Sequence, residues 1–576
     1  MTQPTPAIVP QSAVRRLPRI ALWLFCAAYV LPGLFGREPW KGNEFNAFSY
    51  MLAMAEGTSS WLSPSLWGKL PELDALLPYW MGAWAIQLAP HWISAGLAVR
   101  IPFALLLALT LASTWHGVYY LALSPQAQPV PFAFGGEAKP KDYARTIADG
   151  AVLALIACLG LALLSHEASP ILMQLALVSV VFYGVAALPY HPRYSLTAVT
   201  LGLLGLCLSG APSFAVLMAI GSGLLCLLDR QSTSARTARL HALWLFFVAT
   251  AVAALATALD IWHWRLLPLH NEVQAWRSLL RLMVWFTWPA WPLMLWTLWR
   301  WRRQWASLHW SRHLVLPMWF TALTVSTALL THSSSRTLLL ALPAFATLAA
   351  FALPTLRRSV AALIDWFTLL FFSGSALIIW IIWIAMQTGW PTAPAKNVAR
   401  LAPGFEPSFG WGAFVLALVA TAAWGWLVSW RSARHRHALW KSLVLPAGGS
   451  ALCWLLLLTL WLPLLDFAFS YKPWVAQIQG VMTKQDASQK RGVCLLSYGL
   501  TPSQMTAFHY HGGFDVKPAD MTNIDQQRAC PWLVVDNDLR PELGQVVQLN
   551  EWDRVRSIYR PADKKENVTL YHRRHP

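Results

Sequence analysis

Long apolar runs alternate with short polar segments along most of the chain, and charges fall almost entirely between the runs. Thirteen runs read as membrane-spanning helices, at 19–36, 97–121, 149–165, 170–188, 195–209, 212–229, 240–260, 283–299, 314–331, 338–354, 360–386, 411–430 and 443–466. Runs of about 18 or more apolar residues match the hydrocarbon thickness at the helical rise. A membrane barrel would instead show short segments of alternating polarity. The first run follows Arg15, Arg16 and Arg19, as a signal peptide would. No small-residue cleavage site follows it and further spans do, so it reads as an uncleaved first helix.

The polar positions then set orientation. Arg15, Arg16 and Arg19 place the N-terminus inside, because cytoplasmic loops collect Lys and Arg. Even-numbered crossings return the chain to loops holding Lys139, Lys141 and Arg145; Arg230, Arg236 and Arg239; Arg357 and Arg358; and Arg431, Arg434, Arg436 and Lys441. An odd number of spans puts the chain from about Ser470 outside. Leu76–Leu88 is expected to lie in the interface plane, with Trp80, Trp84 and Trp92 near the headgroups and Pro90 ending it. Counting it as a span would shift the parity by one.

The tail differs in pattern. "GVCLLSYG", "CPWLVVDND", "GQVVQL" and "VTLYHRR" are short β-rich runs separated by polar segments. They predict a small α/β domain over 470–576, following a membrane domain over 1–469. The expected fold class is thus an all-α polytopic membrane protein with a small C-terminal periplasmic α/β domain.

Composition adds three things. With 56% hydrophobic and 12% charged residues, the 576-residue chain fits the membrane class. The net charge of +18 suggests nucleic acid, but the basic residues are dispersed over loops between spans, which excludes that partner. Five of the seven cysteines lie in apolar runs at no metal spacing and read as small hydrophobes. The other two, Cys494 and Cys530, share the tail, and an oxidising export side favours a disulfide if their strands are adjacent.

The first outer loop carries the most specific pattern. "GREPWKGNEFNAFSYML" is followed by "WLSPSLWG", "PYW" and "VRIP". This order resembles the polyprenyl-phosphate-dependent glycosyltransferases of the GT-C class, closest to the lipid A aminoarabinose transferases and bacterial protein-mannosyltransferase-like proteins. The matching positions are Asn43-Glu44, Met51-Leu52, Trp61, Pro64, Leu66, Gly68, Tyr79-Trp80 and Arg100-Ile101-Pro102. Fainter echoes are "GLLGLCLSGAP", "WFTWPAWPL" and "SSRTLLLALPAFATLAA". The resemblance implies a GT-C fold of about thirteen transmembrane helices, a polyprenyl-phosphate sugar donor and a lipid or glycan acceptor. It also carries departures. The family's leading Asp is Asn43, the Arg and Tyr after its Glu are Asn46 and Ala47, and its Glu-Lys-Pro is Leu73-Asp74-Ala75. A second outer-face Asp is Ser169 here, with Glu167 two residues upstream.

Sugar transfer from a lipid phosphate needs a carboxylate for the acceptor's proton and cations for the departing phosphate. Glu44 is the expected catalytic carboxylate, with Asn43 in part of the missing Asp's role and Glu167 as the substitute. Glu44 would face a cavity, with Phe45 and Phe48 turned to membrane-side packing. The bland alternative is a loop acid stabilised by its helix dipole. Arg100 and Arg336 are expected at the lipid phosphate, helped by Lys69, Arg265, His166 and Tyr79; the alternative for bases at span ends is membrane anchoring. "HWRLLPLH" and "HYH" lack companion ligands, so no metal site is assigned; a divalent cation as cofactor is left open. No phosphate-binding loop or dinucleotide fingerprint is present. The expected activity is transfer of a sugar to an envelope acceptor on the periplasmic side of the bacterial inner membrane. The rival is a non-catalytic relative, transporter or assembly protein. Oligomeric state is not legible.

Overall fold

The computed structural model describes residues 5–229, 234–262, 273–305, 311–330, 334–432, 438–485, 492–519, 530–545 and 547–574. Each of the thirteen apolar runs is helical over most of its length, but the runs differ in how they are built. Among the described residues, eight helices are long and apolar enough to cross a membrane: Ala95–Ala122, Pro170–Ala187, Ala235–Ala258, Arg312–Leu330, Arg336–Thr355, Arg358–Thr388, Trp411–Arg431 and Lys441–Leu460. Three more, Arg19–Val30, Pro192–Leu208 and Pro212–Leu228, are apolar but shorter.

The differences have local causes. The first helix, α1 (Arg19–Val30), stops well before Phe35 because Gly33 and Gly36 take left-handed φ values of 79° and 77° and turn the chain. The third run starts earlier than its apolar stretch and is cut at Cys158, with a single turn at Leu161–Leu164 after it. The eighth run divides into Val273–Phe286 and Ala290–Arg300. Pro289 lies at the division, where it has no N–H to continue the ladder.

Three further elements lie early in the chain: α2 (Asn43–Ala55), α3 (Leu77–Leu88) and α4 (Ala95–Ala122). α3 is the segment expected in the interface plane. α5 is Pro140–Ala157. α4 packs along Pro170–Ala187, which in turn packs on Pro192–Leu208. That last approach is close because of glycine: a Cβ on Gly202 would meet Val181 Cγ2 at 2.7 Å, and one on Gly205 would meet Leu177 Cδ2 at 2.9 Å. Small residues at such crossings let helix backbones pack where lipid gives no hydrophobic drive.

The C-terminal part is a five-stranded sheet, β1 (Cys494–Tyr498), β2 (Asp515–Pro518), β3 (Trp532–Asp536), β4 (Trp552–Arg560) and β5 (Asp563–Arg573), in the order β2-β1-β3-β5-β4. β1 is parallel to β2 and β3, while β5 is antiparallel to β3 and β4. Parallel neighbours need a crossover, and the helix Pro502–Gly512 supplies the one between β1 and β2. Thr501 and Gln504 form a capping box at its start. Cys494 on β1 and Cys530 beside β3 are joined as a disulfide, their Cα atoms 4.8 Å apart.

Candidate active site

The site grows from the turn after α1. Gly42, with φ 101°, starts α2 and places Glu44 in its first turn, where the helix dipole favours a carboxylate. Arg37 reaches across seven residues to meet it. Arg37 Nη1 donates to Glu44 Oε2 at 2.5 Å and Nη2 to Oε1 at 2.9 Å. The Trp40 N–H donates to Oε2 at 3.0 Å. The two side chains are only 3% and 2% exposed, so the pair is sealed from water. Arg37 also donates to the carbonyls of Gly33 and His166, both at 2.8 Å, and lies over the Trp40 ring. Its donors are fully used within the chain.

Glu44 is therefore not the open carboxylate expected of it. Both oxygens are held by three donors, and at 2% exposure the carboxylate is closed to an incoming hydroxyl. Arg100 also departs from expectation. It is buried at 5% exposure, and its guanidinium donates to the carbonyls of Gly96, Leu34 and Arg37 at 2.9, 2.8 and 2.5 Å. It clamps the turn backbone instead of presenting itself to a phosphate.

His166 serves the same scaffold. Its Nδ1 lies 2.5 Å from the Ala162 carbonyl, its Nε2 lies 2.7 Å from the Tyr29 carbonyl, and Trp454 Nε1 lies 3.1 Å from Nε2. Burial lowers its pKa to about 4, which keeps the ring neutral near pH 7. Neutral, the ring has one N–H to give to a single carbonyl and one lone pair to accept from Trp454, so it braces the turn and brings no positive charge to a phosphate.

The next residue behaves differently. Glu167 is only partly buried, and the Asn43 side chain hydrogen-bonds to it. Burial first, and then the nearby Glu44 carboxylate, raise its pKa to about 7, against the pull of Arg336, Arg37 and Asn43. A carboxyl poised near neutrality beside a cation has the properties of a general base. Arg336 is half-buried, with Nη1 3.6 Å from the exposed Glu72 carboxylate. Asn43 and Arg336 thus act on Glu167 from two other parts of the chain, with the Arg37–Glu44 pair close enough to act on it as well.

The rest of the motif frames this group. Trp80 Nε1 donates to the Trp61 carbonyl at 2.7 Å, which ties the loop at Trp61 to α3. Tyr79 is buried at 3% and packs against Tyr50 with ring centres 5.6 Å apart, so it is a packing residue. Lys69 is exposed on the loop, where the Tyr50 hydroxyl donates to its carbonyl. Arg265 lies outside the described residues. Among the described residues, no group of three or more His, Cys, Asp or Glu side chains is placed to hold a metal ion.

Sequence reasoning missed two parts. Arg37 was visible as a charge beside the first span, but nothing in its spacing says that the loop folds back on Glu44. The C-terminal domain was also not expected at the site. Phe45 packs against Tyr471 and Phe48 against Tyr510, each with ring centres 5.0 Å apart, so both turn toward that domain and not to the membrane. Lys41 pairs with Asp563 at 2.9 Å, Lys472 with Glu38 at 3.0 Å, and His509 with Glu56 at 3.1 Å.

No protein-family profile and no curated protein sequence matches the chain. Solved structures do match. The chain has the fold of ArnT. ArnT from Cupriavidus metallidurans bound to undecaprenyl phosphate superposes with a TM-score of 0.58 at 14% identity, covering 96% of each chain. The apo state of the same protein gives 0.56 at 15% identity and the same coverage. At this identity the likeness is one of fold, and the GT-C architecture expected from the first outer loop is the one found.

Proposed function

We propose that the protein is an integral membrane glycosyltransferase that moves a sugar from a polyprenyl-phosphate carrier to a lipid or glycan acceptor on the periplasmic side. One observation carries the reading: Glu167 takes a hydrogen bond from the Asn43 side chain and lies within the field of Arg336, next to the braced turn of the first outer loop. A fold shared with a protein solved with undecaprenyl phosphate supports the same reading.

In this mechanism the acceptor oxygen attacks the anomeric carbon, and the bond from that carbon to the phosphate oxygen breaks. The acceptor's proton passes to Glu167. The polyprenyl phosphate leaves with the bond's electron pair, and Arg336, aided by the exposed Lys69, offsets its charge. Asn43 orients the Glu167 carboxylate. Glu44, Arg37, Arg100 and His166 are positioning residues: they hold the turn from which Asn43 and Glu167 project.

The altered family positions, Asn43 and Ser169, favour the rival of a non-catalytic relative. Glu167→Gln decides between them. It keeps shape and removes the base, so transfer falls by about 10²-fold or more with fold and donor binding retained. Transfer by the variant at the wild-type rate would remove Glu167 from the mechanism.

A further inference from the structure

At the far end of the bundle from Glu44 lies a second feature, a cleft of about 470 Å³ between α1, Trp411–Ser432 and Lys441–Leu460. Its volume is that of sites which hold small organic ligands, typically about 300–1,000 Å³. The walls are apolar: Leu24, Phe25, Trp424, Leu427, Val444 and Leu455. Gly448 lines the cleft where Leu427 packs down onto the helix: a Cβ there would lie 2.6 Å from Leu427 and 3.4 Å from Phe25. Because the flanking helices read as spans, the open side of the cleft faces hydrocarbon.

One end is basic. Arg15, Arg16 and Lys441 all line it. Arg15 is exposed, and its carbonyl accepts from Trp440 Nε1 at 2.7 Å, which pins this backbone at the cleft. The Arg16 side chain is 65% exposed even while it pairs with Asp142 at 3.0 Å. Lys441 is 3% exposed, its ammonium 5.1 Å from the Trp430 ring centre. Trp430 stacks on Trp440 with ring centres 6.1 Å apart, forming an aromatic collar between the basic end and the apolar walls. Indole rings favour that depth in a bilayer.

We propose that this cleft binds one anionic phospholipid. Its phosphate lies against Arg15 and Arg16, its glycerol region sits at the Trp430–Trp440 collar, and an acyl chain runs along Leu24, Ala423 and Leu427 between the helices. The occupant is chosen by the match of charge and polarity: a hydrocarbon-facing trough with cations at the headgroup end fits a phospholipid. A second copy of the chain would have to bring acidic groups to that end and bury the trough.

The test is native mass spectrometry of the full-length protein, released from micelles holding equal amounts of dioleoyl phosphatidylglycerol and dioleoyl phosphatidylcholine. One retained lipid per chain is expected, with phosphatidylglycerol favoured at least threefold. R15Q/R16Q should bring the ratio to about one, while K396Q, a charge removal on a separate exposed helix, should leave it unchanged. A423F, which fills the trough, should lower retention of both lipids. Equal retention of the two lipids by the wild type, a preference that survives R15Q/R16Q, or a lipid-free dimer sealed along this seam would each overturn the proposal.

Discussion

Glu44→Gln probes the placement on which the active-site argument depends. Three donors converge on the Glu44 carboxylate: two from Arg37, and the Trp40 N–H at 3.0 Å. An amide in its place offers one oxygen and one NH₂. The NH₂ must then face a donor, and Arg37 keeps an uncompensated charge at 3% exposure. Removing one partner of a buried ion pair typically costs about 3–5 kcal/mol. Replacing both partners with apolar residues removes the unpaired charge, so the double variant Arg37→Met/Glu44→Met should melt above either single variant. The assay is thermal unfolding in detergent, followed by tryptophan fluorescence, for wild type, Glu44→Gln, Arg37→Met, Glu44→Met and the Met/Met double. If Glu44→Gln melts with the wild type but loses transfer, the ion pair is not structural. Glu44 would then act in the chemistry, and the reasoning fails.

Other consequences can be checked separately. If Glu167 is the base, it must be ionised, so kcat/KM should rise with pH and reach half its limiting value at about 7; a flat profile from pH 6 to 8 would contradict this. His509 has its pKa raised chiefly by its hydrogen bond to Glu56, against burial. Its contribution is full below the unfolded value of 6.5 and fades as pH rises through the higher folded value. Proteolysis should therefore release the C-terminal domain slightly faster above that pH, and His509→Gln should flatten the dependence. The bridge between Cys494 and Cys530, separated by 36 positions, should contribute about 3–4 kcal/mol to that domain by loop closure; urea unfolding of Cys494→Ser/Cys530→Ser at unchanged midpoint would refute it. Gly202→Leu should lower the yield of folded protein, since its side chain must displace Val181, whereas Gly425→Leu, with open space around it, should not.

Much of the fold was legible because a bilayer makes hydrophobic length informative. The run at 360–386 could hardly be other than the helix Arg358–Thr388. Pattern was weaker where backbone interrupts a run, as at Thr287–Pro289 and Cys158, because apolar composition continues across a break. The site was legible by neighbourhood and not by role. Asn43, Glu167 and Arg336 could each be picked as outer-face polar groups near span ends. Burial decides what such a group does, and burial depends on which elements fold over it. Glu44 and Glu167 look equally available in sequence, yet Glu44 is sealed by Arg37 and Trp40, while Glu167 is only partly buried and meets Asn43. The C-terminal domain's packing on Phe45 and Phe48 joins residues more than 400 positions apart, which no local periodicity encodes.

The most direct measurement is transfer by the purified full-length protein in liposomes. The donors would be a panel of radiolabelled undecaprenyl-phosphate sugars, offered with extracted envelope lipids and glycans. The account predicts that label passes from at least one donor to an acceptor, with undecaprenyl phosphate released in equal amount and both products lost in Glu167→Gln. Folded protein that binds undecaprenyl phosphate yet transfers no sugar from any donor in the panel would contradict it and leave the non-catalytic reading.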